Sequence, residues 1–111
     1  MEFNIIPDKD ALSICTWCRK YIDESSEVFG LGIVLRPEAD LSQYQSHCIE
    51  LELLSEKKSV CMIVSKEGSP AKDQGKDGMF MVCSQICADK LKKTLKEEVW
   101  LAKLIADVKD S

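Results

Sequence analysis

The chain contains a single histidine, His47, and that scarcity removes most histidine-dependent chemistry. A Ser-His-Asp or Cys-His-Asp nucleophile would have to be built on that one residue, which reads as a surface histidine. An excess of positive charge is missing as well. Lysine and arginine number 15 against 19 aspartates and glutamates, for a net charge of -4 and a pI of about 5.0. Such a field repels the phosphates of nucleic acids and anionic membrane surfaces, so neither is expected as a partner. No apolar run approaches the roughly 18 consecutive residues that would span a bilayer. The opening Met1-Glu2-Phe3-Asn4-Ile5-Ile6-Pro7-Asp8 lacks the positive and apolar regions of an export signal. A cytoplasmic chain is expected, in a compartment where thiols stay reduced.

Several partial motifs fail. Gly68 and Gly75-Lys76 lack the spacing of a phosphate cradle, and Asp77 stands where a serine or threonine is needed. Asp73, Asp77 and Gly78 begin like a calcium loop, but Ser84 occupies the place of the closing glutamate. Glu50 and Glu52 share one face of an expected strand and read as a solvated face rather than an acid–base pair.

What is present is the composition of one globular domain spanning 1–111, with 45% hydrophobic and 31% charged residues. The first segment suits an edge strand or an ordered tail. The run Asp23-Glu24-Ser25-Ser26-Glu27 reads as a turn, and Val28 to Leu35 as a strand bulged at its glycines. Ile49, Leu51 and Leu53 alternate with Cys48, Glu50 and Glu52, and Ser55 to Ser59 separate them from Val60 to Val64, which predicts an antiparallel hairpin. Residues 66–78 predict a flexible loop, and Met79 to Val82 a short strand. From Gln85 to Asp110 there is neither glycine nor proline, and Ser84 suits an N-cap. Ala88, Leu91, Leu95, Val99, Ala102 and Ala106 fall on one helical stripe, so a long C-terminal helix is expected. Trp100, Leu101, Leu104, Ile105 and Val108 would then widen its apolar surface, as core or as a face for a protein partner or a second copy of the chain.

Six cysteines are plentiful for a chain of this length. Zinc prefers four tetrahedral sulfur or nitrogen ligands, and a Cys-x2-Cys turn lets two thiolates reach one ion. Cys15-Thr16-Trp17-Cys18 supplies one pair. Cys83 and Cys87 supply a second at a strand-to-helix junction, where free amides and the helix dipole favour thiolate. Two other readings stay open at this point: cysteines that are simply small buried hydrophobes, and redox work. The latter lacks the βαβ setting of a thioredoxin-like motif. Cys61 and Cys48, on the expected hairpin, read as buried strand residues rather than further ligands.

The stretch Cys15-x2-Cys18-Arg19-Lys20-x-Ile22 resembles the knuckle of treble-clef and ribbon fingers, Cys-x2-Cys-Gly-Lys-x-Ile, with Arg19 in place of the glycine. Phe80-Met81-Val82-Cys83-Ser84-x-x-Cys87-x-x-x-Leu91 resembles the strand-to-helix element of the related YHS, TRASH and MYM fingers. That resemblance implies one zinc ion held by Cys15, Cys18, Cys83 and Cys87, in an α+β fold with a small antiparallel sheet. The long interval from Arg19 to Val82 departs from a compact finger and must itself be folded. The function expected is a non-catalytic structural-zinc module for protein interaction. A metal sensor or metallochaperone is the first alternative, and a thiol or redox enzyme the second.

Overall fold

The computed structural model describes residues 3–7, 13–22 and 29–110. The expected turn at Asp23 to Glu27, together with Val28 and the far end of the first segment, lies outside the described residues. Alternating apolar residues generate six strands: β1 (Ile5–Ile6), β2 (Phe29–Leu35), β3 (Cys48–Leu53), β4 (Lys58–Val64), β5 (Gly78–Val82) and β6 (Ile105–Asp110). They form one antiparallel sheet of order β1-β3-β4-β5-β2-β6. The hairpin expected from periodicity is β3–β4, paired from Cys48 with Ile63 to Leu53 with Lys58. Its residues Ile49, Leu51, Leu53, Val60 and Met62 are fully buried.

Helix α1 (Pro70–Asp73) is a single turn, and α2 (Gln85–Glu97) is the main helix. Ala88, Leu91 and Leu95 are its buried residues on the predicted stripe, and the helix packs against β2 and β5. Together with Leu31, Ile33, Phe80 and Val82 they form the core beneath one face of the sheet. No helix among the described residues is long and apolar enough to cross a membrane.

Three expectations are corrected. The main helix is not C-terminal: it stops at Glu97, a 3-10 turn follows at Trp100–Lys103, and strand β6 beside β2 is the last element of the described residues. The stripe fails where it should continue, since Val99 is 84% exposed and Ala102 and Ala106 are exposed too. Pairing with β2 and burial of Leu101, Leu104 and Ile105 override the helix propensity of this segment. The residues expected to widen a helical face are therefore in a turn and a strand, with those three in the core.

Helix α1 lies within the segment 66–78. Ser69 caps α1 by accepting a hydrogen bond from the Lys72 amide, 3.3 Å. Lys72 Nζ lies 2.6 Å from Asp77 Oδ1, and Asp77 Oδ2 accepts from the Leu35 amide at 2.8 Å. These contacts tie the segment to β2. The irregularity in β2 falls at Val34 and Leu35, where register with β6 shifts, and not at its glycines. A Cβ at Gly32 would stand 2.7 Å from Cδ of the Lys76 side chain.

Candidate metal centre

Two local structures carry the four cysteines. The first is a tight knuckle closed by a bridge between Ile14 and Tyr21. The Cys15 amide donates to the Lys20 carbonyl at 2.8 Å, and the Arg19 amide to the Cys15 carbonyl at 2.9 Å. Such a turn forces Arg19 to a left-handed φ of 68°, which is why glycine suits that position. The Arg19 guanidinium donates to the Ser59 carbonyl of β4 at 2.5 Å, offsetting part of the roughly 1–2 kcal/mol strain of a left-handed residue. The second structure is the junction of β5 and α2. Cys83 follows the last strand residue, Ser84 has the extended conformation of an N-cap, and its hydroxyl accepts from the Cys87 amide at 3.3 Å.

The sheet holds the knuckle in place. Strands β4 and β5 pair only at Ile63 with Met79 and Val64 with Gly78. Beyond that point they part, and Thr16, only 3% exposed, fills the gap. Its amide donates to Met81 of β5 at 2.9 Å, and its Oγ1 accepts from the Cys61 amide of β4 at 2.6 Å. Lys58 adds a third tie, donating to the Trp17 carbonyl with its ammonium 3.9 Å from the Trp17 ring centroid. Nothing in the sequence singled out Thr16 or Lys58; a threonine between two cysteines carries no signal of what its hydroxyl meets.

The result is that Cys15, Cys18, Cys83 and Cys87 converge, with all four Sγ atoms within 4.8 Å of one another. Cys18 and Cys83 are 3.6 Å apart, and Cys83 and Cys87 3.7 Å. A tetrahedron with zinc–sulfur bonds of about 2.3 Å has edges of about 3.8 Å, so the spacing and the all-sulfur donor set fit zinc. All six cysteines are free of disulfides. His47, Cys48 and Cys61 are not members of the cluster. His47 is exposed and Cys48 is buried in β3.

The electrostatics of the four thiols are uneven. Burial works against a thiolate at Cys15, but hydrogen bonds from the amides of Cys18, Cys83 and Trp17 outweigh it and bring the thiol to about 7. Burial, reinforced by the neighbouring Cys83 and Cys15 sulfurs, pushes Cys87 up to about 12 despite its contact with Ser84. Burial and the same crowding raise Cys18. Four sulfurs this close cannot all ionise without a counter-charge, and a divalent cation at their centre is the charge that would replace the protons. No family model, curated protein or solved structure matches the chain.

Proposed function

We propose that this chain is a structural-zinc module whose role is to present a rigid surface to another protein. The observation that carries the reading is the convergence of Cys15, Cys18, Cys83 and Cys87 within 4.8 Å. Four thiolates complete a tetrahedral sphere and leave no position for water or substrate, which favours a structural over a catalytic ion and a non-enzymatic role. The ion would join the knuckle to the helix start in a treble-clef-like arrangement. The metal-sensor alternative needs a further ligand able to exchange into the site, and His47, Cys48 and Cys61 stand outside the cluster.

A cytoplasmic location, where the thiols remain reduced, suits the proposal. The net charge of -4 directs the choice of partner toward proteins and away from nucleic acid and anionic membrane. Leu101, Leu104 and Ile105 are buried, so we propose the rim of the zinc site as the contact surface instead. There Tyr21 and Ile86, beside the ligand cysteines in sequence, are 69% and 67% exposed. Cobalt(II) titration tests the centre directly, because its absorption reports geometry and thiolate ligation. One equivalent should give a tetrahedral, all-thiolate spectrum that zinc bleaches. A weak octahedral spectrum, or no uptake, would remove the basis of the proposal.

A further inference from the structure

The four sulfurs are not equally protected. Cys15 is fully buried and Cys87 is 8% exposed, whereas Cys18 is exposed and Cys83 half-buried. The two outer sulfurs are also adjacent, at 3.6 Å. A thiolate open to solvent with a second sulfur beside it is the arrangement that peroxides oxidise to a disulfide. We propose that Cys18 is a site of oxidation by hydroperoxides, with Cys83 as its resolving partner, and that their disulfide releases the zinc held by this site. The inference rests on the zinc reading above.

The electron count closes with one peroxide. The Cys18 thiolate attacks a peroxide oxygen: a sulfur–oxygen bond forms, the oxygen–oxygen bond breaks, and the departing hydroxide takes a proton to become water. Cys18 is then a sulfenic acid, oxidised by two electrons. Cys83 attacks that sulfur, the sulfur–sulfur bond forms, and the oxygen leaves as hydroxide, which a second proton converts to water. The two sulfurs together lose two electrons, and hydrogen peroxide is reduced to two waters. Closing the bond brings the sulfurs from 3.6 Å to about 2.05 Å. The two inner thiolates, Cys15 and Cys87, then remain as half a coordination sphere, too few for a structural site. The other thiols are poorer targets. Cys48 is 2% exposed, and Cys61 is half-buried and not in the cluster.

The test uses the full chain loaded with zinc, its metal content measured first, and hydrogen peroxide as the oxidant. Zinc release is followed with a chromogenic chelator, and disulfides are assigned by tandem mass spectrometry. Expected are loss of one zinc per peroxide consumed, a Cys18–Cys83 disulfide, and full rebinding after dithiothreitol. Cys48→Ser and Cys61→Ser should release zinc at the unchanged rate. Oxidation of Cys61 or Cys48 with zinc retained, or a disulfide that pairs Cys15 with Cys87, would overturn the proposal. A chain that never held zinc would bring down the zinc reading and this inference together. A chain that holds zinc and keeps it under peroxide would bring down this inference alone.

Discussion

Thr16 ties the first cysteine pair to the sheet at two points, through its amide to Met81 and through its hydroxyl from the Cys61 amide. Replacement by valine keeps the shape and removes the acceptor, leaving the Cys61 amide without its partner. An unpaired buried donor costs about 1–3 kcal/mol. Thr16→Val should therefore lower stability in urea unfolding by that amount, with all four clustered cysteines still in place. Equal stability of variant and wild type would show the hydroxyl to be idle. The four cysteines were legible in the sequence because thiolate spacing and a strand-to-helix junction leave a local imprint. Thr16 was not, because its partners are sheet positions remote in sequence. Arg19 sits between these cases: the knuckle pattern marks its position as one for glycine, and its φ of 68° supplies the reason.

At the scale of elements, α2 ends through a tertiary contact. The Glu98 carboxylate, buried after the last turn, accepts from the Ser55 amide at 2.7 Å and its hydroxyl at 2.5 Å. Trp100 Nε1 then donates to the Glu52 carbonyl at 3.0 Å. Both contacts fasten the chain after the helix to the tip of the β3–β4 hairpin. Burial alone would raise the Glu98 carboxyl, but the Ser55 hydroxyl and amide, with Leu54 and Trp100, hold it below its ordinary value of 4.5. A carboxyl lowered by folding stabilises the fold above its unfolded value, and that contribution fades as pH falls through the folded value. Glu98→Gln keeps an acceptor oxygen and loses the charge, so it should cost about 1 kcal/mol near neutral pH, the difference between a hydrogen bond to a charged and to a neutral group. The gap between variant and wild type should close as the pH drops below 4.5. A gap independent of pH would exclude the charge as its source.

The same segment explains why helix propensity misled beyond Glu97. A run without glycine or proline reads as helix, yet Leu101, Leu104 and Ile105 fill the core and β6 pairs with β2. The doubled change Leu101→Glu, Ile105→Glu should bury two unpaired carboxylates and collapse the fold. Sedimentation and circular dichroism would register an unfolded or aggregated chain. A folded, soluble double variant would mean that these side chains lie at the surface.

For the whole molecule, the hairpin and the cysteine cluster were accessible from pattern, whereas the strand order was not. Only three-dimensional pairing brings β2 between β5 and β6, and only the parting of β4 from β5 makes room for the knuckle. The four cysteines thus join segments that are far apart in the chain. Structural zinc in small fingers supplies about 10 kcal/mol or more, comparable with the about 5–15 kcal/mol that holds a typical domain together. The fold should accordingly depend on the ion. The direct measurement is thermal unfolding by circular dichroism on one preparation, before and after removal of metal by a strong chelator, with zinc counted by elemental analysis. The account predicts about one zinc per chain, loss of the cooperative transition on chelation and its return when zinc is restored; a zinc-free chain, or melting curves that superimpose with and without chelator, would contradict it.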